Sequence, residues 1–300
     1  MKKIGIIGAP CIDEIISPTG EMTAQQLGGI LYSYAAMERL ANENNYEMTF
    51  YPLTFIAEKD NDLLRSFFER LHHFDFIFSP RSAQAQYNCV RLVYTDEMNR
   101  TEHCISILPE LLPEHINADL LGSLDGLFIN MISGFDISIE TMEWIRSHTS
   151  AHIHLDVHAL TLGKLSDRGR HFTPVENWQR WAIAADSVQL NQHEAMYFPP
   201  RSSKPYVTMM QEIVDDDRER SVILTRAEKG CIAYDITTST KHIITSEKIE
   251  TIDTTGSGDV FGGVFALEKT MGKSLEEAAT IANQWAGKNT RFRGVMEMVG

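Results

Sequence analysis

Long hydrophobic runs are missing from this sequence of 300 residues, so no segment is expected to cross a membrane. The apolar stretch in "MKKIGIIGAP" is short, and Asp13 and Glu14 follow it closely. We therefore interpret it as a first strand and not as a signal peptide. These absences predict a cytoplasmic protein without a membrane partner.

Cysteine is scarce as well. The four cysteines, Cys11, Cys89, Cys104 and Cys231, lie far apart and form no C-x-x-C pair. This spacing is typical neither of a zinc site nor of a small disulfide-bonded scaffold. It favours free thiols in a reducing compartment.

Basic residues are outnumbered, because 27 lysines and arginines face 41 aspartates and glutamates, for a formal net charge of -14. Such an acidic surface argues against a nucleic-acid backbone or an anionic membrane as the main partner. An anionic substrate would then need a local positive site, such as a helix N-terminus or a bound metal.

What the sequence does contain is an alternation of short apolar runs, typical of strands, with amphipathic stretches, typical of helices. This alternation predicts an α/β fold with a mostly parallel sheet and helices on both faces. The predicted strands are "KIGIIGA", "MTFYPLTFIA", "FDFIFS", "DGLFINM", "HIHLDV", "DSVQLN" and "SVILTR", with "GCIAYD" and "KHIITS" as a hairpin. The predicted helices are "GGILYSYAAMERLANE", "DNDLLRSFFERLHH", "ETMEWIRSH", "PYVTMMQEIVDDDRER", Gly258–Met271 and Ser274–Arg291.

One region breaks the alternation. "YNCVRLVYTDEMNRTEHCISI" holds two strand-like runs around a polar turn, which predicts an antiparallel hairpin over about residues 88–107. We expect residues 14–27 to join it as a flap on the main sheet. No low-complexity linker or internal repeat divides the chain, so we expect one domain over residues 1–300.

The stretch "IDTTGSGDVFGG" combines a glycine-rich turn with apolar residues at helical spacing from Val260 onward. Gly256 and Gly258 let another group approach the main chain closely. Because the first amides of a helix lack internal partners, the turn predicts an anion site, usually for phosphate. Asp259 would repel a phosphate there, unless a metal or a proton offsets its charge, and it fits a base that acts on a neighbouring hydroxyl group.

Plainer interpretations stay open for these residues alone, since Asp259 also favours a helix start and the glycines also suit a structural turn.

"MGKSLEEA" lacks the first P-loop glycine, so we predict a helix cap at Ser274 with Glu277 completing a capping box. "GIIGAPC" lacks the G-x-G-x-x-G pattern of dinucleotide-binding proteins. For His152 and His154 in "HIHLDVH" we favour ordinary strand histidines over a metal cluster.

Taken together, the motifs resemble the ribokinase-like (PfkB) carbohydrate kinase family. "DTTGSGD" is similar to the family's D-T-x-G-A-G-D, with Ser257 in place of the usual alanine. Weaker matches follow in the family's order: Asp13 at the end of an early strand, Gly28-Gly29 before a helix, "NQHE" from Asn191 to Glu194, and "TRAEKG" from Thr225 to Gly230. The resemblance implies a three-layer ribokinase-like fold with a mostly parallel central sheet and a small β lid, built from residues 14–27 and 88–107.

The resemblance also implies a reaction, the transfer of the γ-phosphoryl group of ATP to a hydroxyl of a small sugar or sugar derivative. The amides of Gly256, Ser257 and Gly258 would form the anion hole. Asp259 would act as the general base that takes the proton from the acceptor hydroxyl.

The remaining site residues follow from the same resemblance. Glu194 would help to hold Mg²⁺ through waters, although Asn191 and Glu194 also fit a helix cap and a first-turn acid. Some members of the family need a monovalent cation, and lid strands in the family can pair across a homodimer. The implied substrate-binding residues are Asp13, Gly28, Gly29 and Ser33, and the implied ATP-binding residues are Asn191, Thr225, Arg226, Gly230, Thr254 and Asn283.

The sequence departs from the family pattern at several positions. Ser33 stands where asparagine is frequent, and Ala227 replaces a glycine. In the segment that begins at Asp156, His158 and Leu160 replace an asparagine and an arginine. The acceptor therefore stays open, and we keep three hypotheses: a sugar kinase, a nucleoside kinase of the same family, and a regulatory protein that binds nucleotide or sugar without turnover.

Overall fold

The computed structural model describes residues 1–57, 61–83, 86–94, 100–163, 170–198 and 218–300. Its strands, in chain order, are β1 (Lys2–Ile7), β2 (Pro10–Ile16), β3 (Met22–Gly29), β4 (Met48–Pro52), β5 (Ile56–Ala57), β6 (Arg81–Ser82), β7 (Asn88–Tyr94), β8 (Arg100–Ser106), β9 (Gly126–Asn130), β10 (His152–Asp156), β11 (Ser187–Asn191), β12 (Ser221–Thr225), β13 (Cys231–Asp235) and β14 (Thr240–Ile244).

The main sheet has eight strands in the order β14-β13-β12-β11-β10-β9-β1-β4. The six strands from β12 to β4 run parallel, and β13 and β14 extend the sheet as an antiparallel hairpin. The predicted α/β fold with a mostly parallel sheet is therefore confirmed. Because the strands are parallel, their carboxyl ends meet at one edge, where ligands bind in such sheets.

Side chains of the parallel strands alternate between two apolar cores, because both faces of the sheet are covered. In β9, Phe128 belongs to one core, and Leu127 and Ile129 belong to the other. The first core includes apolar residues of helices Leu31–Asn44, Asp62–Phe68, Ser257–Thr270, Leu275–Asn289 and Val295–Val299. The second core includes those of helices Ala118–Ser123, Ile139–His148 and Trp178–Ala184.

A smaller sheet, in the order β3-β2-β7-β8, forms the lid. The hairpin predicted over residues 88–107 is present as antiparallel β7 and β8, and β2 joins it by pairing parallel to β7. The lid is wider than expected, because β2 and β3 span residues 10–29 and not only 14–27. Asp13 consequently lies in the middle of β2 and not at the end of the first strand.

Three local predictions have different outcomes. "FDFIFS" is not a strand, because Phe74 makes only an isolated bridge to Phe50 and their rings pack together with centroids 4.8 Å apart. The capping box is confirmed, since Ser274 Oγ accepts from the Glu277 amide at 3.3 Å and Glu277 Oε2 accepts from the Ser274 amide at 3.0 Å. The helix predicted in "PYVTMMQEIVDDDRER" lies largely outside the described residues.

Within the described ranges, none of the helices combines the length and the apolar character that a membrane crossing demands. The four cysteines are free thiols, as expected from their spacing.

Candidate active site

A cleft of about 650 Å³ lies between the lid sheet and the carboxyl edge of the main sheet. The lid contributes Asp13, Ile15 and Val90 to its walls, while residues 253–256 and Asp259 form the opposite side. The cleft therefore lies between the lid and the glycine-rich turn that the sequence singled out.

The turn at Gly256 needs glycine for two reasons. Gly256 has φ 74°, a left-handed conformation that L-residues disfavour. A Cβ at this position would also lie 2.2 Å from Cγ of Tyr32, inside the ring's van der Waals contact. The chain then enters the helix Ser257–Thr270, whose third residue, Asp259, lines the cleft.

The amides of this turn are only partly available for an anion. Within the described part of the chain, the amide groups of Gly256 and Gly258 have no hydrogen-bond partner. The amide of Ser257 instead donates to the carbonyl oxygen of Thr254 at 3.2 Å. Of the three amides expected to form the anion hole, those of Gly256 and Gly258 are thus unpaired in this structure. The amide of Ser257 forms a hydrogen bond within the turn.

Asp259 lies at the floor of the cleft and is only 7% exposed. Its Oδ1 atom accepts a hydrogen bond of 2.8 Å from Nδ2 of Asn130, and Nε2 of His158 is 3.8 Å from the same oxygen. Burial raises the pKa of Asp259, while His158, Asn130 and its own amide act in the opposite direction. The carboxyl group is therefore held in one position next to the unpaired amides.

Two further carboxyl groups lie close enough to Asp259 for their charges to interact. Burial raises the pKa of Asp156 well above its usual range, and the charges of Glu194 and Asp259 raise it further. Burial also raises the pKa of Glu194 to about 7. Three buried acids that repel one another form a set that a cation would stabilise.

Asn191 and Glu194 lie together, as the "NQHE" motif implied. Glu194 accepts hydrogen bonds from the amide and from Nδ2 of Asn191, at 2.8 Å and 2.6 Å. The Asn191 side chain in turn accepts from the amide of Glu194 at 2.9 Å. No group of three metal-binding side chains occurs among the residues that the structure describes. Magnesium commonly binds to one or two carboxylates together with waters and phosphates, so Glu194 still fits its expected role.

The predicted substrate residues separate into two groups. Asp13 and Gly29 line the cleft. Gly28 leaves room for the Asp13 side chain, because a Cβ at position 28 would lie 2.6 Å from Oδ2 of Asp13. Ser33 does not line the cleft. It is fully buried, and its Oγ donates to the carbonyl oxygen of Asp259 at 2.8 Å. The structure therefore places Ser33 against the helix Ser257–Thr270 and not in the cleft lining, and its expected part in substrate binding stays a prediction.

The predicted ATP residues lie mainly outside the lining of this cleft, with Thr254 as the exception. Thr225 ends β12 and its hydroxyl donates to the carbonyl oxygen of Leu190 at 3.3 Å. Asn283 accepts from Ser246 Oγ at 3.2 Å. Gly230 has φ 83° and precedes β13. A Cβ at this position would lie 2.1 Å from the carbonyl oxygen of Ile244.

Several residues of the site were missed by sequence reasoning. Asn130, which holds Asp259, ends β9, and its position at the carboxyl edge of a parallel strand was the available signal. Arg170 lines the same cleft as His158 and donates to the carbonyl oxygen of Ser133 at 2.6 Å. It supplies a cation beside the segment in which Leu160 replaces the family's arginine.

Comparison with known proteins agrees with this geometry. The model described as "pfkB family carbohydrate kinase" matches residues 171–299. The bifunctional protein HldE of Yersinia pestis (strain Pestoides F) is 32% identical over 98 residues, which are 33% of this chain and 20% of that protein. The chain thus matches about a fifth of the length of these curated relatives.

Solved structures share the fold of the whole chain. Ribokinase from Thermotoga maritima has a TM-score of 0.76 at 17% identity and covers 100% of this chain and 96% of its own. A putative ribokinase II from E. coli, in complex with ATP and Mg²⁺, has a TM-score of 0.75 at 17% identity with the same coverage. Adenosine kinase from Schistosoma mansoni, in complex with 2-fluoroadenosine, has a TM-score of 0.74 at 16% identity. The match covers 98% of this chain and 96% of the adenosine kinase chain.

The likeness to these structures establishes the fold, and the family model accounts for the C-terminal part of the chain that carries the glycine-rich turn and Asp259. Residues 171–299 are similar to the pfkB family of carbohydrate kinases, and the fold of the whole chain is similar to that of ribokinase.

Proposed function

We propose that this chain transfers the γ-phosphoryl group of ATP to a hydroxyl group of a small sugar or sugar derivative. The observation that carries the proposal is the carboxyl group of Asp259 on the cleft floor, one residue after the unpaired amide of Gly258. A base and an anion site thus lie side by side, which is the arrangement that phosphoryl transfer to an alcohol needs.

In the reaction, the bond between the γ-phosphorus and the bridging oxygen of ATP breaks, and ADP leaves with the electron pair. The acceptor oxygen forms the new bond to phosphorus, and Asp259 takes the hydroxyl proton. Burial raises the pKa of Asp259, which makes it a stronger base than a solvated aspartate. Asn130 donates to the carboxyl group and keeps it oriented. The amides of Gly256 and Gly258 would receive the negative charge of the phosphoryl group.

Mg²⁺, when bound with ATP, neutralises charge on the transferred group. Glu194 is the side chain that we expect to hold it, with Asn191 fixing both carboxyl oxygens. The remaining assignments stay proposals of the same kind. Asp13 would bind sugar hydroxyls, and Thr225, Arg226, Gly230, Thr254 and Asn283 would border the nucleotide.

An acceptor screen tests the activity. A panel of sugars, sugar derivatives and nucleosides, including ribose and adenosine, would be assayed with ATP and Mg²⁺ by coupled ADP detection. ADP release with a sugar or sugar derivative would support the proposal. ADP release with nucleosides alone would show that the protein is a nucleoside kinase instead. Tight ATP binding without ADP release for any acceptor would favour a regulatory binding protein instead.

Asp259→Asn tests the mechanism, because it removes the base and keeps the shape of the side chain. Loss of a general base typically costs about 10²–10⁴-fold in rate, so we expect kcat to fall by that order with ATP affinity, measured by calorimetry, nearly unchanged. Asp125→Asn is the matched control, since Asp125 lies at the amino edge of the sheet against Lys2 and Lys3. Near-normal turnover of Asp259→Asn would exclude this role.

A further inference from the structure

Gln189 lies beneath the catalytic turn, in the middle of β11, and is only 2% exposed. It does not line the cleft. Its Nε2 atom donates to Oδ2 of Asp156 at 2.8 Å and to the carbonyl oxygen of Gly258 at 3.0 Å. One side chain thus links the end of β10 to the first turn of the catalytic helix.

The carbonyl of Gly258 belongs to the same peptide unit as the amide of Asp259. The rotation of this unit therefore sets the direction of the Asp259 amide. That amide donates to the carboxyl group of Asp259 and favours its ionised form. A hydrogen bond that holds the Gly258 carbonyl consequently also fixes the amide on which the catalytic carboxylate depends.

The orientation of the Gln189 amide follows from its neighbours. Both groups beside Nε2 are acceptors, so Oε1 must face Nε2 of His154, 3.3 Å away. His154 must then carry its proton on Nε2, and its Nδ1 accepts from Oγ of Ser187 at 2.7 Å. Ser187 Oγ in turn accepts from Nε2 of His152 at 3.0 Å. A directed chain of hydrogen bonds thus runs from His152 to the catalytic turn.

Two further observations fit this chain. Burial lowers the pKa of His154 to about 3, so the ring is neutral and a single tautomer can be maintained at ordinary pH. The catalytic helix also comes close to the chain at Gly262, where a Cβ would lie 3.2 Å from Oε1 of Gln189 and 2.9 Å from the ring of Phe128.

We propose that Gln189 is a positioning residue for phosphoryl transfer, oriented by the Nε2–H tautomer of His154, which aligns the Gly258–Asp259 peptide and with it the catalytic carboxylate. This inference rests on the proposed function. It assigns a role to the two strand histidines and to a glutamine that do not line the cleft.

Gln189→Met tests the proposal, because methionine has a similar length but lacks both hydrogen-bonding groups. We expect kcat to fall about 10–100-fold, as for other supporting groups of a reactive site, while KM for ATP and acceptor changes little. The matched control is Thr270→Val, which removes a buried hydrogen bond of 2.8 Å to Ala266 at the opposite end of the same helix. It should lose stability and keep kcat.

Nuclear magnetic resonance supplies a readout that does not depend on turnover. In the wild type, the ring nitrogens of His154 should show the proton on Nε2, and in Gln189→Met this preference should weaken and the amide resonance of Asp259 should move. A proton on Nδ1 of His154 in the wild type, or an unchanged Asp259 amide in the variant, would overturn the proposal. So would wild-type kcat in Gln189→Met. If no acceptor supports turnover in the wild type, the kinase proposal fails, and the resonances still decide whether Gln189 positions Asp259.

Discussion

At the scale of single residues, the site depends on how a buried carboxylate is kept ionised. Asn130 is fully buried and donates to Oδ1 of Asp259 at 2.8 Å. A hydrogen bond to the charged form of an acid lowers its pKa, which here opposes the increase caused by burial. Together with the charge of His158, Asn130 therefore lowers the pH above which Asp259 would be ionised and could act as the proposed base.

The substitution Asn130→Ala removes this donor, so the pKa of Asp259 should rise further. Since the base must be deprotonated, we expect the acidic limb of the kcat–pH profile to move to higher pH. Asn117→Ala is the control, because Asn117 accepts from the amide of Leu120 at 2.8 Å as a helix cap and lies outside the cleft lining. A profile of Asn130→Ala that coincides with the wild type would contradict this role.

The residues of the site differ in how far the sequence reveals them. The turn around Gly256 and Asp259 has a local pattern, so its position at the start of a helix could be predicted. Asn130 and Gln189 act through contacts with residues 129 and 69 positions away, and no local pattern encodes those distances. The contact of Ser33 with Asp259 could not be predicted either, because position along a helix does not reveal that the helix packs under Asp259.

At the scale of elements, the two glycines of the glycine-rich turn have different surroundings. The turn needs glycine at position 256, whereas the space next to Gly258 is open. Gly256 has φ 74° and is in contact with Tyr32, whereas a Cβ at Gly258 would meet no atom within 4 Å. A side chain at position 256 would therefore disturb the conformation of the turn. A side chain at position 258 would change only the space that is open to a ligand.

Substitution by alanine should affect these glycines differently. Gly256→Ala combines a left-handed conformation, which costs about 1–2 kcal/mol, with a steric conflict at Tyr32, so the free energy of unfolding should decrease. Gly258→Ala should leave unfolding by urea nearly unchanged, and a methyl group beside the unpaired amide should lower kcat/KM by up to about 100-fold, the cost of one lost donor. Full activity of Gly258→Ala would show that the phosphoryl group does not approach this amide.

Most elements could be predicted because strand and helix periods are local. Parallel strands such as Gly126–Asn130 are short buried runs, and helices such as Leu275–Asn289 carry a capping box. The failure at "FDFIFS" has a tertiary cause, since Phe74 and Phe76 pack their rings near Phe68 and form no regular ladder. An apolar run fixes burial, but it does not fix which backbone groups pair.

At the scale of the whole molecule, the fold gathers negative charge where it is least solvated. The carboxyl edge of the sheet places Asp156, Glu194 and Asp259 together, and burial raises the pKa of each. A group whose pKa is raised by folding binds protons more tightly in the native state. Ionising this cluster must therefore lower the stability of the protein as the pH rises, a cost that the proposed catalytic role of Asp259 would explain.

Asp259→Asn should consequently stabilise the protein while it lowers turnover. Below the ordinary pKa of an aspartate, 3.8, both states of the wild type are protonated and the variant gains little. Above the raised pKa of folded Asp259 the wild type carries the buried charge and the variant does not. The difference in Tm, measured by calorimetry in the absence of ligands, should thus grow as the pH is raised from below 3.8 through the raised pKa of Asp259. Asp125→Asn should show the opposite sign, because the hydrogen bond and charge of Lys2 lower the pKa of Asp125 and its ionised form stabilises the fold. A variant at position 259 that melts at or below the wild-type Tm at pH 8 would mean that this carboxylate is already compensated in the folded state. The reason to expect that a cation stabilises the cluster would then disappear.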